Sequence, residues 1–233
     1  MWFDKLKKSV QLTSSSPYVI QHLDENRERI IYTVELLRQL GLTGGRVCEI
    51  GFGGVGLACA QELRAKVDAY DCSEWFRPIC EQFSIPWNYI DLNQPVVLSR
   101  SPYDAILLCE VIEHLCRWPA EVLADLGNSL KRGGVMFVTT PNLHRFSNRM
   151  RMLAGKRLFA NFVPEDLLMA HLREYTPEEL VFLFQRAGFS KVKWRLLAFD
   201  IGKPKWIETS YKIVCRAFPR LSNFIFCWGF KEK

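Results

Sequence analysis

Residues 46–56 read Arg-Val-Cys-Glu-Ile-Gly-Phe-Gly-Gly-Val-Gly. Arg46–Ile50 is a short β-branched, apolar run and the glycines follow at once, so the stretch predicts a strand leading straight into a glycine loop. Val55–Arg64 is helical in character. Such a loop brings backbone close to a ligand and opens a helix whose N-terminus favours negative charge. The spacing Gly51-x-Gly53-x-x-Gly56 also fits the nicotinamide dinucleotide fingerprint, a pattern that by itself leaves the ligand open. Glu49 bears on that choice. A carboxylate at the strand end repels a pyrophosphate and suits a ligand with an ammonium or sulfonium group.

Working outward, Ser16-Pro17 supplies an N-cap with proline at the first helical position. Apolar residues from Ile20 to Leu40 recur at helical spacing, which predicts one helix over 18–40, stopped by Gly41 and Gly44-Gly45. Lys66–Tyr70 is a second strand ending at Asp71, Ser73 is a candidate cap for the next helix, and Ile85–Ile90 is a third strand ending at Asp91. Tyr103–Cys109 is a continuous apolar run after one acid, as expected of a strand buried on both faces. Pro119 opens a helix expected to end at Lys131-Arg132-Gly133-Gly134. Val135–Thr140 follows as strand five, closed by Pro141.

Residues 142–174 lose the strand–helix rhythm and read as an inserted segment. Thr176-Pro177-Glu178-Glu179 combines a capping box with proline at the first helical position. Lys191–Phe199 and Asn223–Phe230 are two late strands, expected as a hairpin-like pair, with Pro204 and Pro219 between them. The count argues for an α/β, doubly wound, mostly parallel sheet. A six-stranded dinucleotide fold needs a second complete βαβαβ half, which the late pair does not supply.

Composition bounds the rest. With 48% hydrophobic and 24% charged residues over 233 positions, the chain has the make-up of an ordinary globular protein. It shows no apolar run of about 18–20 residues, and the first residues lack the apolar core of a signal peptide; a cytoplasmic location is expected. The eight cysteines include no C-x-x-C pair and sit mostly in apolar runs, as expected of reduced core thiols. The net charge of +6 is concentrated in 191–233 and in 144–160, which holds Arg145, Arg149, Arg151, Lys156 and Arg157 with no acid. This reads either as solvated faces or as a rim for an anionic substrate, a membrane surface or nucleic acid.

Glu49, Asp71 and Asp91 fall at three successive strand ends, the edge where such folds bind ligands. Together with Val-Cys-Glu-Ile-Gly-Phe-Gly-Gly-Val-Gly, Tyr-Ile-Asp91-Leu, the run from Tyr103 through Cys109-Glu110-Val-Ile-Glu113-His114-Leu, and Leu-Lys-Arg-Gly-Gly-Val-Met-Phe-Val-Thr-Thr-Pro-Asn, they resemble class I S-adenosylmethionine-dependent methyltransferases over roughly residues 30–230. His171-Leu-Arg-Glu-Tyr-Thr-Pro-Glu-Glu-Leu extends the likeness. The resemblance implies a Rossmann-like seven-stranded sheet with an antiparallel last strand and a lid insertion, and S-adenosyl-L-methionine as cofactor. It further implies Glu49, Gly51, Gly53 and Gly56 at the methionine end, Asp71 with Cys72 at the ribose, Asp91 and Leu92 at the adenine, and Cys109-Glu110 beside the cofactor. A single domain is expected, with a helical cap over 1–45, a cofactor core over 46–141, a lid over 142–175, and a C-terminal helix with late strands over 176–233.

The nearest look is to ubiquinone-biosynthesis-type and sugar or secondary-metabolite O-methyltransferases. Their E-x-x-E-H string matches Glu110–His114 and can hold a divalent metal. Small-RNA 2′-O-methyltransferases share it and add a histidine a few residues on; 115–135 contains none, and no metal ligand is assigned here. An alcohol or phenol acceptor must lose a proton near the transfer step, which calls for a base with a pKa near the working pH. The candidates are His114 first, then His144 and His171, while His22 in the N-terminal helix is expected to be exposed. Tyr175 and Arg173 are candidate lid residues beside His171, and the aromatic residues Phe146, Phe159, Phe162, Trp194, Phe199, Trp206 and Tyr211 are candidate pocket walls or core. The expected partner is a small-molecule acceptor rather than nucleic acid; N- or C-methylation, 2′-O-methylation of small RNA, and cofactor binding without turnover are the alternatives.

Overall fold

A computed structural model describes residues 2–11, 17–159, 171–199 and 202–232. In chain order its elements are α1 (Trp2–Gln11), α2 (Pro17–Glu25), α3 (Arg27–Gln39), β1 (Arg46–Ile50), α4 (Val55–Glu62), β2 (Lys66–Asp71), α5 (Arg77–Gln82) and β3 (Trp87–Tyr89). Then follow β4 (Tyr103–Cys109), α6 (Pro119–Gly127), β5 (Leu130–Pro141), α7 (Phe146–Leu153), α8 (Pro177–Arg186), β6 (Phe189–Leu197), α9 (Lys205–Ala217) and β7 (Phe224–Lys231). They build one seven-stranded sheet of order β3-β2-β1-β4-β5-β7-β6. The first five strands pair in parallel, and β7 runs antiparallel to both β5 and β6. This is the Rossmann-like doubly wound sheet expected, with the last strand reversed.

The alternation of side chains along a strand sends residues to two cores, one on each side of the sheet. From β4, Ala105, Leu107 and Cys109 face the core covered by α1 to α5. Ile106 and Leu108 face the core under α6 and α8. Each fully buried leucine contributes about 1.5–3 kcal/mol, so a strand with two apolar faces is anchored from both sides. Helix α1 adds Phe3, Leu6 and Val10 to the first core at helical spacing. Helix α8 begins with the expected capping box: the Thr176 hydroxyl accepts from the Glu179 N–H at 3.2 Å, and the Glu179 carboxylate accepts from the Thr176 N–H at 2.8 Å.

Several boundaries differ from expectation for local reasons. The helix expected over 18–40 breaks at Asn26, whose side chain donates to the His22 carbonyl and accepts from Arg29. A short amide side chain of this kind competes with helical backbone pairing. Ser73 does not cap the next helix; its N–H is taken by Asp71 at 2.7 Å, and α5 starts only at Arg77. Lys131–Gly134 does not close α6, which ends at Gly127. Instead these residues bulge out of β5, where the register jumps from Leu130 opposite Tyr103 to Val135 opposite Ala105. Gly133, at φ +77°, permits the turn. The late strands are antiparallel neighbours but are not a hairpin, because α9 lies between them, with Pro204 at its N-cap and Pro219 beyond its end. The expected cap Ser16 and the aromatic Phe162 lie outside the described residues. Among the described residues no helix is long and apolar enough to cross a membrane.

Candidate active site

The carboxyl ends of β1, β2 and β4 converge on the glycine loop. Glu49 is fully buried, and it turns inward: Oε1 accepts from the N–H groups of Gly53 and Val55 at 3.2 Å each, and Oε2 from Gly56 at 2.7 Å. Burial pushes its pKa up to about 7 against these three N–H donors, which favour the charged form. The carboxylate thus moulds the loop and occupies the orphan donors at the start of α4. Gly51 adopts φ +69°, and a Cβ there would meet Val111 Cγ2 at 2.4 Å. A Cβ on Gly56 would lie 2.8 Å from Glu49 Oε2, so the approach of the carboxylate requires glycine at that position too.

Asp71 ends β2 beside the loop. One carboxylate oxygen accepts from the Phe52 N–H at 2.8 Å and the other from Ser73 at 2.7 Å. A carboxylate offers about four acceptor directions, so a diol has lone pairs left to use. Cys72, next in the chain, is exposed. Asp91 and Leu92 are half-buried after β3, with Asp91 accepting from the Asn93 N–H at 2.9 Å. Cys109 points into the core, and burial lifts its thiol to about 12, which removes it as a nucleophile.

Glu110 follows in the left-handed region at φ +60°, a costly conformation for a residue with a Cβ. Two partners hold it there: the Thr139 hydroxyl donates to it at 2.9 Å, and Arg29 of α3 pairs with it at 2.7 Å. Arg29 is buried, and sequence reasoning missed it. His22 is a second omission. Expected to be exposed, its ring instead lies 3.1 Å from the Gly53 carbonyl and packs edge-on against Phe76. Burial lowers its pKa, so a neutral imidazole N–H donates to that carbonyl at neutral pH. Helix α2 therefore lies on the glycine loop, with Leu23 so close to Gly54 that a Cβ there would fall 2.7 Å from Leu23 Cδ2.

Beyond β4, Ile112–His114 forms a single 3-10 turn. The Glu113 carbonyl accepts from the N–H groups of Leu172 and Arg173 at 2.9 and 3.3 Å. These two bonds bring His171 to His114, and the rings meet edge to face at 4.9 Å between centroids. The Glu113 side chain is fully buried beneath them; its Oε2 accepts from the Thr140 hydroxyl at 2.9 Å, and its Oε1 has no hydrogen-bond partner. Burial raises the Glu113 pKa to about 7. His171 is raised by its contact with Glu174 at 3.5 Å. Burial works against Glu174 as an anion, but His171, Arg145 and Asn148 outweigh it and hold its pKa down.

Glu113, His114 and His171 place one ligand atom each within 4.8 Å of one another, a set that could share a proton or hold a cation. His144 is not among them: its backbone N–H donates to Asn142, its backbone carbonyl accepts from Arg149, and its ring Nδ1 is buried without a hydrogen-bond partner. Thus two of the three expected catalytic histidines come together. Their wide separation in sequence explains why spacing alone gave no hint of the pairing.

The acceptor-rich edge formed by Asp71, Asp91 and Glu110 matches the chemistry of an adenosyl sulfonium, whose ribose diol and positive sulfur both seek oxygen acceptors. A methyltransferase-domain family model matches residues 22–193. The ubiquinone biosynthesis O-methyltransferase of Marinobacter nauticus is 27% identical over 173 residues, 70% of this chain and 66% of that protein, just under two thirds of its length. In fold, the chain is similar to a SAM-dependent methyltransferase from Archaeoglobus fulgidus (17% identity, 90% and 98% of the two chains, TM-score 0.57). It is also similar to a Haemonchus contortus phosphoethanolamine N-methyltransferase in complex with S-adenosyl-L-methionine (14% identity, 82% of this chain and 49% of that one, TM-score 0.55). With the sheet order, the glycine loop held by Glu49 and a family match over most of its length, the chain belongs to the class I S-adenosylmethionine-dependent methyltransferases.

Proposed function

We propose that this enzyme methylates a hydroxyl group of a small molecule, with His114 as the base. The observation that carries this reading is the His114–His171 ring pair above buried Glu113, a proton-handling cluster at the end of the central strand β4. Bound S-adenosylmethionine supplies an electrophilic methyl on a sulfonium, so the protein's part is alignment, water exclusion and proton removal.

Asp71 would take the ribose hydroxyls, with Cys72 alongside, and Asp91 with Leu92 would edge the adenine. Gly51, Gly53 and Gly56 would admit the methionine end; Glu49 acts on it through the loop it shapes. Cys109, through its backbone, and Glu110 would flank the cofactor, with Arg29 fixing the Glu110 carboxylate. At the transfer step an imidazole nitrogen of His114 would take the proton of the acceptor's hydroxyl. His171, held by Glu174, orients that ring. The residues after β5, with His144 at their start, would cover the acceptor.

The test measures S-adenosylhomocysteine release with a panel of phenolic, sugar and amine acceptors. His114→Ala should retain the rise in melting temperature on adding cofactor and lose about 10²–10⁴-fold in turnover of a hydroxyl acceptor, the span expected for a lost general base. Full turnover in that variant, with amines as the preferred acceptors, would replace O-methylation by base-free N-methylation.

The unpartnered Glu113 Oε1 favours a second reading, in which Glu113, His114 and His171 hold a divalent cation beside the acceptor oxygen. The Arg29 guanidinium, which acts on Glu113, opposes a second positive charge there. Loss of turnover in a chelator, with recovery on adding magnesium or manganese, would select the cation over the free base.

A further inference from the structure

Helices α7 and α9 flank one open groove of about 650 Å³, lined by Arg149, Trp194 and the stretch Ala217–Leu221. Around it the surface is apolar to a degree that a soluble face rarely shows. Leu153 is 80% exposed, Trp206 72%, Phe218 64% and Ile213 59%. In α9, Trp206, Ile213 and Ala217 share one stripe, with Lys205, Lys212 and Arg216 along its flank and Cys215 on the buried side. Helix α7 exposes Phe146, Met150, Met152 and Leu153 and buries only Asn148.

The charge is equally one-sided. Residues 145–157 and 203–220 together carry ten lysines and arginines against one acid, Glu208. The whole chain is only +6, so everything outside these two segments is net acidic. Among the described residues, Arg145 pairs with Glu174, Lys212 with Glu28 and Arg220 with Glu178. Arg149, Arg151, Lys156, Lys205 and Arg216 are exposed and carry the cationic excess of the patch.

We propose that this α7/α9 face docks on an anionic lipid surface, its aliphatic and tryptophan side chains entering the headgroup boundary and its cations meeting acidic phospholipids. Charge complementarity separates this occupant from the others. A second copy of the same face would set two strongly cationic surfaces against each other. A nucleic acid would match the charge and find rings at Trp206 and Phe218, but the exposed aliphatic side chains of Leu153, Met150, Met152 and Ile213 give a base nothing to stack on, whereas a lipid boundary takes up both kinds. Both helices sit at the carboxyl edge of the sheet, and Glu174 ties Arg145 and Asn148 of this region to His171. A docked enzyme would thus present its acceptor side to the membrane.

Sedimentation of the full chain with vesicles tests this, using phosphatidylcholine alone and phosphatidylcholine with one-third phosphatidylglycerol. The chain should partition onto the anionic vesicles, leave them at high salt and ignore the neutral ones. Each surface cation contributes a factor of about five to such binding, so Arg149→Glu with Arg151→Glu should weaken it by roughly 25-fold or more. Trp206→Ser with Ile213→Ser should weaken it with less effect on the salt dependence. Lys66→Glu with Arg132→Glu, at the opposite edge of the sheet, should leave it intact. Melting temperature and its rise with S-adenosylmethionine are read for every variant to show that each still folds. The proposal fails if neither vesicle binds, or if the control pair weakens binding as much as the patch pairs. It fails equally if the patch variants instead abolish a concentration-dependent dimer or retention of single-stranded RNA.

Discussion

Replacing Glu49 by glutamine keeps the volume of the side chain and removes its proton equilibrium. In the native loop the carboxylate accepts three backbone N–H groups with no exposure to water. The amide oxygen of a glutamine there could keep the bonds from Gly53 and Val55, but its NH₂ would then face the N–H of Gly56. At mildly acidic pH the wild-type group is the neutral acid, whose hydroxyl oxygen still accepts from Gly56; one unsatisfied buried donor costs about 1–3 kcal/mol, and Glu49→Gln should be less stable by that order there. The pH dependence discriminates further. The folded pKa of Glu49 is raised from 4.5 to about 7, so the folded state binds the proton more tightly than the unfolded one. Stability from this group is therefore full below pH 4.5 and is lost as the pH rises towards about 7, at ~1.4 kcal/mol per unit and ~3 kcal/mol in all. Glutamine has no such loss. Urea unfolding at about pH 5 and about pH 8 should show the gap between wild type and variant narrowing by ~3 kcal/mol as the pH rises. A gap that stays constant or widens would mean that the N–H donors outweigh burial and keep Glu49 ionised throughout, which would refute the reasoning.

Gly51→Ala would force a Cβ into φ +69° and to within 2.4 Å of Val111 Cγ2; the backbone alone costs about 1–2 kcal/mol, and Val111→Ala should recover the steric part, as read by melting temperature. Thr176→Ala removes the capping box of α8 and should cost ~1 kcal/mol with no change in cofactor affinity, checked by chemical denaturation and a cofactor titration. Burial, with Arg29 nearby, holds the His22 pKa down although its bond to the Gly53 carbonyl favours the cation, so the stability of the buried neutral ring is full above pH 6.5 and is lost as the pH falls through its folded pKa; His22→Gln should flatten the acid limb of the stability profile, and an unchanged limb would argue against the buried neutral imidazole. His171→Gln should lower turnover and move the pH–rate profile while leaving cofactor affinity in place, if its ring, which packs on His114, orients that base as proposed.

Features governed by neighbours in sequence were legible in the chain itself. Strands β1 and β4 lie where their β-branched or apolar runs placed them, and α8 starts at its capping box, because periodicity and capping act over a few residues. The glycine loop and the acids at the strand ends belong to the same class, since each follows directly from where a strand stops. Side chains that meet through the fold were not legible. His114 meets His171 because the Glu113 carbonyl takes two N–H groups from the far side of the inserted segment. His22 reads as a solvent-facing helical residue until α2 is laid on the glycine loop, and Arg29 gives no signal until α3 brings it to Glu110. The Lys131–Gly134 run carries the signals of a helix end, yet strand pairing to Tyr103 pulls it into β5 as a bulge. Sequence alone therefore determined the sheet, the loop and the cofactor class. The tertiary structure decided which histidines pair and which charges are buried, because those depend on distances between elements remote in the chain.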